Sequence, residues 1–485
     1  MTPIPVERIL AALRHAGLLA DVTGTLPDQV SDITDDSRQV VADGLFLAVR
    51  GSARDGHEFL PQAEAAGAVA AIVEDAGRST LPSIVVREGR RAAAIAAAAA
   101  FDEPAKQMRL VAVTGTNGKT TTVGILRHLL DKPDARSASI GTLGILLGSE
   151  GVPVAGGASL TTPGPVELQR ALRSLVDRGV RTVAMELSSH SLDQRRAETL
   201  VFEAGVFTNL TRDHLDYHET MEGYLLAKSR LIALLGARGA AVVNLDDDIW
   251  QRLPPAHTLI TFGRNPDAMV RADSVLFNPR GSEWLLVADN QRHVLQLPLI
   301  GDFNVSNALG AAAAAWHLGL SLSSIAARLR TVPQVPGRLE VIHERPTVLR
   351  DYAHTPDALE RSIAAVRPFA RKKLIVIFGA GGDRDRGKRP LMGAIAEQGA
   401  DFAIVTSDNP RTEEPVSILE DIERGMRLAN HELIEDRREA IERALVLASP
   451  EDVVLLAGKG HESYQIRGTT SHPFDEKAIV AELTS

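Results

Sequence analysis

The run Thr114-Gly-Thr-Asn-Gly-Lys-Thr-Thr-Thr122 holds the densest chemistry in this 485-residue chain. Gly115 and Gly118 permit a tight turn, and a helical pattern follows over 123–130. A turn at a helix start leaves backbone N–H groups without partners beside the positive end of the helix dipole. Such a place binds phosphate. Lys119 adds a point charge for β- and γ-phosphoryl oxygens, and Thr120 a hydroxyl for Mg2+. ATP would then rest on Gly115, Thr116, Asn117, Gly118, Lys119, Thr120 and Thr121. The common phosphate-loop spacing asks for glycine at position 113, where this chain has Val113, so the loop is a variant. The alternative is a tight strand-to-helix turn with an incidental lysine.

Two more polar residues follow apolar runs. Glu186 closes the run 180–185, at the C-terminal end of an expected strand, where open α/β sheets place ligand-binding groups. A carboxylate there suits Mg2+, whose hard charge prefers oxygen. Taken alone, such a glutamate is more often structural or solvated than a metal ligand. His214 sits in the polar stretch Thr211-Arg-Asp-His-Leu-Asp216, where a hydrogen-bonded structural histidine is the competing reading.

The elements that must position these groups fall into three blocks: 1–107, 108–335 and 336–485. The first ends after an alanine-rich helical stretch over 89–101 and the breaker Pro104. The second opens with a buried strand over 110–113 and alternates short apolar runs, at 180–185, 201–208 and 240–244, with helical patterns. The third restarts that alternation with strands at 348–350, 373–378, 402–406 and 453–457. Strand–helix alternation of this kind predicts α/β folding, with a phosphate-loop-type, mostly parallel sheet in the centre and a doubly wound, Rossmann-like C-terminal block.

Composition limits the partners. The net charge of −9 argues against nucleic acid or anionic membrane as the main ligand, though phosphate sites need only a few local donors. With no cysteine, disulfides and thiolate zinc sites are excluded. Residues 1–10 lack a signal-peptide apolar core, and the longest apolar stretch, 92–101, is about half of what a membrane crossing needs. A cytoplasmic monomer without membrane insertion is the expectation.

The variant loop resembles the ATP loop of the Mur ligase superfamily, which includes muramyl-peptide ligases and folylpolyglutamate synthase. Further motifs extend the likeness along the chain: Met185-Glu-Leu-Ser-Ser-His190, Thr208-Asn-Leu-Thr-Arg-Asp-His-Leu-Asp216, Gly301-Asp-Phe-Asn-Val-Ser-Asn307, Asp351-Tyr-Ala-His-Thr-Pro356, Asp408-Asn-Pro-Arg411 and Gly458-Lys-Gly-His-Glu462. The resemblance implies three domains and an ATP-dependent ligase that phosphorylates a carboxylate and lets an amine displace the phosphate. It implies Mg2+ near Thr120, Glu186 and His214, a carbamylated Lys228 near the metal, and further ATP contacts from Asn307, Arg338 and Asp351. It also implies a UDP-linked substrate, UDP-N-acetylmuramoyl-L-alanyl-D-glutamate. Ser37, Ser52, Ala53 and Arg54 would line the uridine and pyrophosphate, and Thr161, Thr162, Ser188, Gln194 and Arg196 the sugar-peptide. Arg196 suits a carboxylate through its planar fork. Leu160 stands where some relatives carry asparagine, so no side-chain hydrogen bond is assigned there.

The third block would choose the amine, through Arg384, Asp408, Asn409, Pro410, Arg411, Gly458 and Glu462. The tetrapeptide Asp408–Arg411 resembles the pattern of members that add meso-2,6-diaminopimelate rather than lysine. Its logic is physical too, because Arg411 can grip the distal carboxylate of diaminopimelate and repel the terminal ammonium of lysine. A folylpolyglutamate synthase and a lysine-adding ligase are the near alternatives. A phosphate-loop motor or kinase and a nucleotide-binding regulatory module are the distant ones.

Overall fold

The computed structural model describes residues 3–51, 54–156 and 160–485. They form two compact units, residues 1–271 with 307–325 and residues 272–306 with 326–485.

The first unit begins with a small sheet of β1 (Leu19–Thr23), β2 (Ile33–Thr34), β3 (Gly44–Leu47), β4 (Ala68–Val73) and β5 (Ser83–Val86), in the order β1-β5-β4-β3-β2. All its pairings are parallel except β1 with β5. The alanine-rich helix Gly89–Ala100 lies against the helix Val6–His15, and alanine at nearly every buried position lets them pack closely.

The same unit holds a larger sheet. Its strands are β6 (Arg109–Thr114), β7 (Arg136–Gly141), β8 (Gly144–Leu147), β9 (Val152–Val154), β10 (Val180–Glu186), β11 (Phe202–Phe207), β12 (Leu235–Asn244) and β13 (Thr258–Gly263). They run in the order β9-β8-β7-β10-β6-β11-β12-β13. From β7 to β13 the pairing is parallel. Residues Leu110, Val111, Ala112 and Val113 are all buried, as helices on both faces require of a central parallel strand. The antiparallel edge of β8 and β9 is a departure from the wholly alternating pattern expected of this block. It arises because Gly144, at φ +79°, lets the chain fold straight back after β7. Register matters for the site: Glu186 of β10 pairs with Val113 of β6, so the last residue of one strand stands beside the residue just before the phosphate loop.

The second unit carries a six-stranded sheet of β14 (Glu340–Glu344), β15 (Thr347–Asp351), β16 (Leu374–Phe378), β17 (Phe402–Val405), β18 (His431–Leu433) and β19 (Val453–Ala457). The order is β14-β15-β19-β16-β17-β18, parallel except for β14 with β15. A late hairpin, β20 (Tyr464–Arg467) and β21 (Thr470–Pro473), follows it. Nothing in the apolar pattern had marked that hairpin, because three of the four β20 residues are polar. Among the described residues no helix is long and apolar enough to cross a membrane.

Candidate active site

The phosphate loop leaves β6 and enters the helix Lys119–Leu130. Gly115 and Gly118 take φ of +146° and +84°. A Cβ on Gly115 would collide with Thr208 Oγ1, and one on Gly118 with Asn307 Oδ1. Both glycines are thus required by close approach as well as by backbone angle. The loop is pinned by the end of β11. Thr116 N–H donates to the Asn209 carbonyl at 2.7 Å, Asn117 N–H to Asn209 Oδ1 at 2.9 Å, and Thr208 Oγ1 to the Asn117 carbonyl at 2.7 Å. This gives Thr208 and Asn209 a definite task that the motif alone did not disclose.

Lys119 folds over the loop and donates to the carbonyls of Gly115 at 3.0 Å and Thr116 at 2.7 Å. Lys228, on the helix Met221–Ser229, reaches the same Gly115 carbonyl at 2.7 Å. Its side chain is buried, with Nζ 4.5 Å from the centre of the Tyr224 ring. Burial, helped by the nearby positive Lys119, holds the Lys228 amine well below the usual lysine range. Tyr224 itself meets Thr116 Oγ1 at 3.2 Å, and burial pushes its phenol above the usual range.

Glu186 is 1% exposed. Its carboxylate accepts from Thr142 N–H at 2.8 Å and Thr142 Oγ1 at 3.2 Å. Only glycine fits at position 141, where a Cβ would run into that carboxylate. From Glu186 a continuous network leads to the residues expected at the sugar-peptide. Thr142 Oγ1 lies 3.3 Å from Thr161 Oγ1, and Thr162 Oγ1 donates to the Glu186 carbonyl at 2.8 Å. Ser188 N–H donates to Thr162 Oγ1 at 3.2 Å, while Arg196 donates to the Thr162 carbonyl at 2.8 Å and to Gln194 Oε1 at 2.7 Å. Thr161, Thr162, Ser188, Gln194 and Arg196 therefore form one connected set. Leu160 is exposed beside it.

His214 has φ +54° and heads the short helix Leu215–His218. Its ring meets His190 edge-on, with centroids 4.8 Å apart, and His190 packs on Tyr217 at 4.3 Å. Burial, aided by His190, Lys119 and Lys228, pushes the His214 imidazole down to about 4, against the pull of Asp213. At neutral pH the ring is uncharged, with a lone pair available to a cation. Among the described residues no group of three or more His, Asp or Glu forms a cage for a metal. Mg2+ does not need one, since it takes one or two carboxylates, waters and substrate phosphates. The Glu186 carboxylate fits that donor chemistry, with the Thr120 hydroxyl as a further oxygen and neutral His214 as a nitrogen donor.

In the small N-terminal sheet, Ser37 is buried and its hydroxyl donates to Gln62 at 2.9 Å. The Arg54 carbonyl accepts from Gly51 N–H at 2.8 Å. Ser52 and Ala53 lie outside the described residues.

The second unit gathers most of the expected amine-binding residues at the carboxyl edges of β17 and β19. Asp408 and Asn409 are buried, and a Cβ on Gly458 would lie 2.5 Å from Asp408 Oδ2. Glu462 accepts from Asn409 Nδ2 at 3.0 Å. Arg411 stands in the left-handed region at φ +54°, held there by the late hairpin: its N–H donates to the Ile466 carbonyl at 3.1 Å, and its carbonyl accepts from Gly468 at 2.7 Å. Its guanidinium donates to the Gly382 carbonyl at 2.8 Å. Arg384 is exposed and donates to the Asp383 carbonyl. A Cβ on Gly381 would meet Arg411 Nη1 at 2.8 Å and Arg384 Cγ at 3.8 Å, so both arginines flank one glycine. Pro410 carries the turn between Asn409 and Arg411. Two residues missed from sequence complete the group. Gln465 donates to the Asp408 carbonyl at 2.9 Å, and Lys459 lies buried against Asn409 and Glu462. Lys459 belongs to the motif Gly458–Glu462, but only the fold shows that it points inward. Elsewhere in this unit, Arg338 lies 4.7 Å from the centre of the Tyr352 ring, and the buried Asp351 accepts from Leu339 N–H and Ser362.

Three family profiles match in succession: "Mur ligase family, catalytic domain" over residues 29–111, "Mur ligase middle domain" over 113–315, and "Mur ligase, glutamate ligase domain" over 337–460. A protein of Geobacter metallireducens named UDP-N-acetylmuramoyl-L-alanyl-D-glutamate--2,6-diaminopimelate ligase is 44% identical, covering 95% of each chain. The chain belongs to the Mur ligase family. It is accordingly an ATP-dependent, amide-bond-forming ligase with the three-domain Mur ligase architecture. A Geobacillus kaustophilus protein of the same name is 43% identical over 97% of this Mur ligase and 98% of its own length. A solved structure, also titled as the 2,6-diaminopimelate ligase, has a TM-score of 0.67 at 32% identity, with 96% of each chain covered. A Thermotoga maritima ligase solved with ADP shares the fold, with a TM-score of 0.65 at 20% identity over 93% of this chain and 96% of its own.

Proposed function

We propose that this Mur ligase joins meso-2,6-diaminopimelate to UDP-N-acetylmuramoyl-L-alanyl-D-glutamate in peptidoglycan synthesis, with ATP as co-substrate and Mg2+ as cofactor. The observation that carries the substrate choice is the cluster of Arg411, Asn409, Asp408 and Glu462 at the edges of β17 and β19. It offers a guanidinium to a distal carboxylate and carboxylates to an ammonium, the two charges that end a diamino diacid. The relatives of 38–44% identity that bear this ligase name support it.

Geometry and family resemblance together support the following roles. Loop N–H groups and Lys119 take the β- and γ-phosphates, with Lys119 exchanging its carbonyl partners for phosphate oxygens. Glu186, Thr120 and His214 would hold Mg2+, which when bound would supply positive charge to the phosphoryl oxygens. Burial disfavours the charged form of Lys228, which would assist addition of its amine to CO2 with loss of a proton to give a carbamate. Arg196 orients the UDP-linked peptide. Its terminal carboxylate takes the γ-phosphoryl group, and the unprotonated amine of diaminopimelate then displaces phosphate to form the amide. Asn307, Arg338 and Asp351 are assigned to ATP, and Ser37, Ser52, Ala53 and Arg54 to the UDP moiety. The domains are taken as 1–107, 108–335 and 336–485, in a cytoplasmic monomer.

The test is phosphate release from ATP with UDP-muramyl-dipeptide and, in turn, meso-diaminopimelate, lysine and ornithine. Release with meso-diaminopimelate well above the other two is the expected result. Equal or greater release with lysine would refute the assignment.

A further inference from the structure

Lys459 has no part in the roles above. It follows Gly458 at the carboxyl edge of β19, and its side chain is completely buried. A charge taken out of water needs partners. The Lys459 ammonium donates to Asn409 Oδ1 and to Glu462 Oε2, each at 3.2 Å, and stands 5.7 Å from the centre of the Tyr464 ring. Asn409 Nδ2 donates to that same Glu462 oxygen at 3.0 Å, and Ile466 N–H donates to Asn409 Oδ1 at 2.9 Å. The amide is thereby oriented. Its oxygen faces two donors and its NH2 faces the carboxylate, and a flip would aim NH2 at an ammonium. Meanwhile the other Glu462 oxygen makes none of these bonds.

We propose that Lys459 is a positioning and charge-setting residue of the amine site, fixing Asn409 and Glu462 and offsetting the Glu462 charge so that a net-neutral diamino diacid is preferred over a cationic diamino monoacid. The inference rests on the diaminopimelate reading above. Its core is charge balance. Asp408 and Glu462 carry two negative charges and Lys459 and Arg411 two positive ones, while the charge of Arg384 is exposed and screened by water. Diaminopimelate with both amines and both carboxylates ionised is neutral, whereas lysine carries +1. Removing Lys459 leaves the cluster one unit more negative, which favours lysine and disfavours the second carboxylate. A lysine that merely filled space would not move the preference in that direction.

Steady-state kinetics of the full-length wild type, Lys459→Met, Lys459→Arg, Glu462→Gln and the Lys459→Met/Glu462→Gln double variant provide the test. Each is assayed with meso-diaminopimelate and with lysine at saturating UDP-muramyl-dipeptide, and the KM for ATP is measured alongside. In Lys459→Met the KM for diaminopimelate should rise on the order of 10-fold or more, the expected scale for a lost charged hydrogen bond. The KM for ATP should stay put, and the diaminopimelate-to-lysine efficiency ratio should fall. Lys459→Arg should recover part of the ratio. In the double variant the cluster returns to the net charge of wild type, so the ratio should return toward the wild-type value. That double variant also keeps the test alive if Lys459→Met alone fails to fold, since it leaves no unpaired buried carboxylate. An unchanged ratio in Lys459→Met, an ATP KM rising in step, or no recovery of the ratio in the double variant would each overturn the proposal. Wild type that turns over lysine but not diaminopimelate would remove the substrate reading, and this inference with it.

Discussion

The phosphate loop and the cluster proposed to select the amine are held in place by opposite means. Around the loop the work is done by backbone. Two glycines with no room for a Cβ, and N–H and carbonyl groups bonded to Thr208 and Asn209, fix a path that barely depends on which side chains the loop displays. Around Asn409 the work is done by side chains: Lys459, Glu462, Asn409 and Gln465 bond to one another or to the backbone of Asp408 across 50 or more residues of sequence, apart from the local Lys459–Glu462 pair. The reagent common to all reactions of this kind meets a rigid backbone. On the proposed reading, the reagent that must be chosen meets replaceable side chains, so the choice could be altered without rebuilding the sheet.

That contrast can be broken at either end. The largest effect is expected at Arg411. Losing one partner of a desolvated charge pair costs about 2–5 kcal/mol, so Arg411→Ala should lower efficiency with meso-diaminopimelate by roughly 30- to 4000-fold. Lysine has no distal carboxylate to lose and should suffer far less. The measurement is the ratio of the two efficiencies, and a ratio equal to that of wild type would show that Arg411 does not read the distal carboxylate. Next comes Lys119→Ala, expected to cost on the order of 100-fold or more in kcat for every amine alike while the protein stays folded. Circular dichroism and turnover with both amino acids check this; a loss confined to one amine would put Lys119 on the wrong side of the contrast. Smallest is Lys228→Ala, expected to reduce turnover by roughly 10- to 100-fold, the range for groups that support a metal site. Acetate should restore part of it by supplying the missing carboxylate. Mass spectrometry of the intact wild type in bicarbonate, under non-acidic conditions, should show the added CO2, and its absence from fully active enzyme would remove the carbamate.

The same contrast explains what could be read in advance. The phosphate loop is a local pattern of strand, glycines, Lys-Thr and helix, and the structure has the strand, the turn and the helix in that order. The third-block strands at 348–350, 373–378, 402–406 and 453–457 were legible as well, since parallel strands buried on both faces are continuous apolar runs. The antiparallel edge β8–β9 was not, because its cue is one glycine turn after a strand already counted. The late hairpin was missed for the same kind of reason: its residues are polar and short, and their value lies in bonds to Asp408, Asn409 and Arg411. Lys228 came only from family likeness. Its burial against Gly115, more than 100 residues away, leaves no trace in local pattern.

Arg411 carries one more consequence. A non-glycine residue held left-handed gives up about 1–2 kcal/mol that glycine would not. The substitution that most eases this backbone is therefore the one that deletes the guanidinium. If Arg411 reads the distal carboxylate as proposed, drift toward a sturdier protein and drift toward a less selective one run the same way at this position.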